Sequence, residues 1–170
     1  MSTILGTGLV YRVEVVNEAG VVVDSELVHN IMPQQAVDHV ASLIRGGGAT
    51  PISSWYIGVF ESNYVPDSGV TAADLQTNVG ESQAYDEAAR QPWANAYDGV
   101  GFIGNVSTPA EFTMNASKTV YGAFLVSNAT KGGTSGILLS VARFSTPKTV
   151  EAGYTLRVVA GLSLTPTSTL

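Results

Sequence analysis

The residues able to do chemistry are few and do not assemble. His29 and His39 are the chain's two histidines. A Ser–His–Asp triad needs one of them beside a serine and a carboxylate. Serines are plentiful, but none sits in a G-x-S-x-G elbow. His29 ends an apolar run and His39 follows Asp38 within an expected helix, without H-x-x-x-H spacing. Both therefore read as structural. Asp86 and Glu87 are adjacent, and neighbours on a strand point to opposite faces, so they do not make a glycosidase pair. Glu61, Asp67 and Asp74 flank a long polar stretch. Its "ESNYVPDSG" lacks the alternating oxygen ligands, closed by a glutamate, of a calcium loop. "GGG" (Gly46 to Gly48) follows a helix, whereas a phosphate loop precedes one. "GVGFIG" (Gly99 to Gly104) matches G-x-G-x-x-G by letter, with no helix after it. There is no cysteine, which excludes disulfides, thiolate metal sites and thiol nucleophiles. The expectation is a protein with no catalytic residue, no metal and no cofactor, not an enzyme.

The most individual polar segment is "YDEAARQPW", Tyr85 to Trp93. Glu87 and Arg90 are spaced for a local pair. Tyr85 and Trp93 bring large apolar faces with polar handles. Two readings stay open: a loop packed over one end of the fold, or a contact loop, because aromatic residues and arginine are enriched at interfaces. On the second reading the interface candidates in exposed loops are Tyr64, Tyr85, Arg90, Trp93 and Tyr97. On the first, Trp93 belongs to the core.

Net charge is −6, and the eight basic residues are scattered, which argues against nucleic-acid binding. Charged residues make up 13% of the chain, about half the usual ~25%, as suits a β-rich protein or one covered by partners. "MSTILGTGLV" has neither the basic region nor the long apolar core of a signal peptide, and no apolar run reaches a membrane span. The expectation is a soluble protein made in a cytoplasm. Asn105, Asn115 and Asn128 match the N-glycosylation pattern by chance.

Periodicity supplies the elements. Tyr11, Val13 and Val15 alternate with polar residues, "NEAG" turns the chain, and "VVVDSELVH" completes a hairpin. Pro33 opens a helix whose Ala36, Val37, Val40, Leu43 and Ile44 share one face, as for a helix lying across a sheet. "SSWYIGVFES" reads as a buried strand. Thr71 caps a short helix with Asp74 in capping-box position. The stretch around Tyr85 to Gly99 reads as an irregular strand, then a loop, interrupted by Pro92. From Val100 onward the pattern is β. Strands cover Thr119 to Ser127 and Ile137 to Phe144, with "NATKGGTSG" between them as an exposed tip or arm. "TPKTVEAG" is expected to turn the chain into a last strand with Tyr154, Leu156, Val158, Ala160, Leu162 and Leu164 on one face. "TPTSTL" reads as a frayed tail. About eight strands and one helix near the N-terminus predict a single mainly β domain over 1–170, a β-sandwich or jelly-roll-like fold. Its hairpin and helix span 10–45 and its sandwich body 53–164.

"WYIGVFESNYVPDSGVTAADL", "YDEAARQPW" and "VYGAFLVSNATKGGTSGILLSVARFSTPKTVEAGYTLRVVAGL", in this order, resemble the head decoration, or cement, proteins of tailed bacteriophages. The likeness runs over roughly Trp55 to Leu162. It implies a β-rich, often oligomeric structural protein on the capsid exterior that ties major capsid protein subunits together, with no catalytic residues. The alternative is a tail or fibre-associated module recognising host glycans, with Trp93 and Tyr97 stacking on sugars.

Overall fold

The computed structural model describes residues 9–164, so the expectations for the first eight residues and for the "TPTSTL" tail lie outside the described residues. Ten strands form two antiparallel sheets. β1 (Leu9–Val16) and β2 (Val22–His29) form the opening hairpin, with Asn17 closing its turn by accepting the Ala19 and Val21 amides. The helix α1 (Gln34–Ile44) comes next, so it is not an N-terminal element; the hairpin precedes it. β3 (Tyr56–Phe60), β4 (Gln91–Pro92), β5 (Ala96–Tyr97), β6 (Phe102–Gly104), β7 (Ala110–Thr113), β8 (Lys118–Val126), β9 (Leu138–Val150) and β10 (Thr155–Ser163) follow. The six-stranded sheet runs β2-β1-β10-β6-β5, with β7 also on β10; the four-stranded sheet runs β4-β3-β8-β9.

β10 is the centre of the larger sheet. One edge pairs with β1, from Leu9↔Leu162 to Val16↔Thr155. Its other edge is shared, β7 taking Thr155 to Val158 and β6 taking Gly161 to Ser163. The hairpin is therefore part of the main sheet rather than an appendage to a separate body. Period-two alternation delivers Tyr11, Val13, Leu156 and Val158 to one core, where they meet Ile57, Val59, Ala123, Leu125 and Phe144 of the smaller sheet. Tyr11 and Ser140 join the two sheets by a buried hydroxyl–hydroxyl hydrogen bond.

The smaller sheet is covered on its other face too. Phe60, Phe124, Val126, Leu138 and Val141 pack against Val70, Ala72, Leu75 and Val79. Those last residues belong to a compact segment in which a single 3-10 turn (Ala72–Asp74) passes into a π-turn (Leu75–Val79). The expected Thr71–Asp74 capping box starts it, with the Thr71 amide donating to Asp74 at 2.9 Å. Burial on both faces explains why β8 reads as a continuous apolar run, buried from Gly122 to Val126. Gly58 is needed where Phe124 crosses β3, since a Cβ there would sit 2.2 Å from its ring.

Two expected elements differ. "TPKTV" does not turn the chain: β9 continues to Val150, and the turn comes at Glu151 to Gly153. The β8–β9 register jumps between Val120↔Lys148 and Gly122↔Arg143, and this bulge accommodates Pro147, which has no amide to give a ladder. The helix does not lay its apolar stripe on a sheet. Ala36 is its one fully buried residue; Val37, Val40, Leu43 and Ile44 are exposed. Gln35 fixes this rotation, its side-chain oxygen accepting the Leu138 and Ala72 amides. His39 turns inward on the same side, edge-on to Trp55.

Candidate functional site

Among the described residues, the segment after the π-turn builds the one ion pair between fully enclosed side chains. Gly80, left-handed at φ 73°, turns the chain so that Glu81 points inward. The Arg90 guanidinium donates to both Glu81 oxygens, at 2.8 and 2.6 Å, and both side chains have 0% exposure. Its remaining donors reach the carbonyls of Asn128 and Gly133, at 3.0 and 2.6 Å. The Gly132 amide donates to Glu81 at 3.1 Å, and the Arg90 amide to the Ala129 carbonyl. This bidentate geometry, with all three guanidinium nitrogens hydrogen-bonded, is the form in which a buried pair is tolerated. It clamps the β8–β9 connection. The expected exposed arm "NATKGGTSG" is thus a pinned loop, and Lys131 adds to it, its ammonium 3.8 Å from the Tyr85 ring centroid and 2.9 Å from the Tyr85 carbonyl.

The sequence candidates separate accordingly. Tyr85, Arg90 and Trp93 are buried, at 1%, 1% and 8% exposure, and do not share an exposed loop. Tyr85 stacks edge-on with Phe112, and burial pushes its hydroxyl pKa up. Trp93 spans both sheets: its indole N–H donates to the Ala160 carbonyl of β10, and its amide to the Trp55 carbonyl before β3. The core reading of Trp93 is the one its surroundings fit. The expected Glu87–Arg90 pair does not form, because Arg90 is taken by Glu81 while both Glu87 oxygens accept the Thr113 amide. Tyr64 is half-buried, with burial and then Asp67 and Asp74 raising its pKa. Tyr97 alone of the five is well exposed, at 60%.

Among the described residues, the histidines and carboxylates singled out in the sequence lie in separate local settings. His29 is exposed on β2, and His39 lies against Trp55 with its buried Nε2 unpartnered among the described residues. Glu61 accepts from Ser82 and pairs with Lys118, and Asp74 is held by Thr71 and Asn78. Among the described residues, no three histidine, aspartate or glutamate side chains are grouped to hold a metal. Among the described residues, no helix is long and apolar enough to cross a membrane.

The surface features that sequence reasoning missed are apolar. One is the outward face of α1. Another is the tip of the β1–β2 hairpin, where Val21, Val22 and Val23 are 54%, 45% and 53% exposed. The signal was present in "VVVDSELVH", whose pattern marks the second strand of the hairpin and assigns neither face to solvent. Below the tip, β2 is tied to β9. Lys148, 4% exposed, lies 3.1 Å from both Asp24 and Glu26, and Glu26 also accepts the Ser145 and Thr146 amides.

No protein-family model matches this chain, and neither the curated proteins nor the solved structures yield a significant match.

Proposed function

We propose that this chain is a structural virion protein that decorates the outer surface of a tailed-phage capsid and bridges major capsid protein subunits, as a homo-oligomer and without catalysis. Two sheets sharing one core support a finer reading of the fold as a β-sandwich of jelly-roll-like type. The observation that carries the functional reading is α1. Its apolar stripe is intact in the sequence but uncovered in the isolated chain, with Ile44 83% exposed. Apolar surface of this kind, grouped on one helix, is characteristic of proteins that are covered by partners. The tail-module alternative loses Trp93 as a sugar-stacking platform and keeps Tyr97, so it ranks second.

Particle labelling separates the two: signal over the head supports decoration, and signal at the tail tip replaces it. Ile44→Asp tests the carrying observation. The variant should keep the wild-type melting temperature, because the side chain is exposed. It should lose retention on capsids depleted of the native protein by about 2 kcal/mol if Ile44 is a hot spot. Undiminished co-sedimentation would remove α1 from the interface. Sedimentation velocity of the isolated protein reads its oligomeric state.

A further inference from the structure

We infer that α1 is a self-association face, which pairs antiparallel, about a twofold axis, with α1 of a second copy of this chain. The inference deepens the reading above by naming what covers the helix. It rests on that reading only for the dimer's place on a capsid.

The rotation of α1 fixes the face that is left over. Gln35, Ala36 and His39 turn toward the body: Gln35 accepts the Leu138 and Ala72 amides, Ala36 is fully buried, and His39 meets Trp55. At about 100° per residue, Val37, Val40, Ala41 and Ile44 fall on the opposite side of the helix. All four are exposed. Val37, Val40 and Ile44 have the three-then-four spacing of a helix-pairing seam, and Ala41 beside them is small enough to let a second backbone approach.

The charges beside the stripe select the occupant. Asp38 and Arg45 stand two helical turns apart, so both lie on the same flank of it. Asp38 is in the N-terminal half and Arg45 is the C-terminal cap residue. Both are exposed, and among the described residues neither takes part in an ion pair. A twofold axis through the middle of the stripe reverses the second helix. Val37 then faces Ile44, Val40 faces Ala41, and the flank carrying Asp38 and Arg45 meets the same flank running the other way. Each Asp38 comes beside the Arg45 of the second copy. The face is complementary to itself, which is what a contact between identical surfaces requires. Reversal also sets the two helix dipoles head to tail, whereas a parallel pairing would set like ends together. A partner surface of one charge sign would match only one end of the flank. Two helices of 11 residues make a contact at the small end of stable interfaces, so the dimer is weak and concentration-dependent.

Sedimentation velocity of the full-length protein, over about a hundredfold range of concentration, should show a monomer passing into a dimer. Ile44→Asp should stay monomeric throughout. Asp38→Arg and Arg45→Asp each set like charges together and should each weaken the dimer at least about tenfold. Combining the two changes in one chain should restore the dimer, and so should mixing the two single variants. Because these side chains are exposed, the melting temperature of every variant under dilution should match that of monomeric wild type. Wild type that is monomeric throughout, a dimer untouched by Ile44→Asp, or a double variant no tighter than the single ones would overturn the inference. So would a trimer, which a twofold contact does not build. Monomeric wild type whose retention on depleted capsids falls with Ile44→Asp removes the dimer and leaves decoration standing, with a capsid subunit on α1. A dimer with the expected variant pattern but no retention on capsids leaves the pairing standing and removes the decoration reading.

Discussion

Arg90 occupies a position where its charge is wholly dependent on one partner. Removing either member of a buried pair strands the other without water, typically at a cost of about 3–5 kcal/mol. Arg90→Met and Glu81→Gln should each lower the urea-unfolding free energy by an amount of that order. The double variant should be less destabilised than the sum of the two, because no stranded charge is left. Additive losses would show that the two groups act independently, against the bidentate geometry. The segment holding Arg90 was conspicuous in the sequence, but its role was not legible there. Tyr85, Arg90 and Trp93 have the composition of an interface, and the same composition suits a loop packed into a core. Glu81 decides between them, and it lies in "VGESQ", where no periodicity marks a direction.

Elements gain definition from the side chains that close their edges. Burial opposes ionisation of Glu26, but the hydrogen bonds from Ser145 and Lys148 prevail and hold its carboxyl below the usual range. Burial likewise opposes the Lys148 ammonium, and Glu26 and Asp24 outweigh it, raising its pKa. The Glu26 contribution is therefore present above its ordinary pKa of about 4.3 and is lost as pH falls through the lower folded value. The Lys148 contribution is present below its ordinary value of about 10.4 and is lost as pH rises through the higher folded one. Thermal midpoints of Glu26→Gln should lie below wild type by a constant margin from pH 6 to 8. The margin should begin to shrink below about pH 4, where the unfolded chain takes up the proton first, and should close once pH has fallen through the lower folded value. A margin that persists at pH 2 would assign the loss to packing instead. At this scale the alternating strands are the legible part: period two puts Tyr11, Val13 and Val15 of β1 and Leu156, Val158 and Ala160 of β10 on the core face, because it has one solution when one side is a core, whereas Leu164 falls beyond the end of β10 and is exposed. α1 was legible as a helix but not in its orientation. The Gln35 hydrogen bonds that turn it belong to Ala72 and Leu138, far away in the chain.

The molecule as a whole is organised around contacts between distant segments. Trp93 ties the two sheets, Tyr11 meets Ser140, and the Arg90 clamp joins the 81–90 segment to the β8–β9 loop. A mainly antiparallel topology of this kind folds slowly, because loop closure precedes the reward of contact; comparable all-β domains take about milliseconds to seconds. Stopped-flow refolding of the wild type should fall in that window, and a microsecond phase carrying the full amplitude would contradict it. The two-sheet class was readable from strand count and turn spacing. The pairing order was not, because periodicity states which face is buried and says nothing about which strand lies alongside.

The place of β10 has a consequence for the chain as it leaves the ribosome. The strand at the middle of the larger sheet is the last described element to be synthesised, and β1, among the first, pairs with it along its whole length. Until β10 emerges, β7 lacks its ladder and β6 has only its short pairing with β5, and the β1–β2 hairpin presents two open edges and the apolar faces of Tyr11, Val13 and Val15. The nascent protein must therefore deliver β10 before its larger sheet can exist, and protection of the waiting hairpin matters most during that interval.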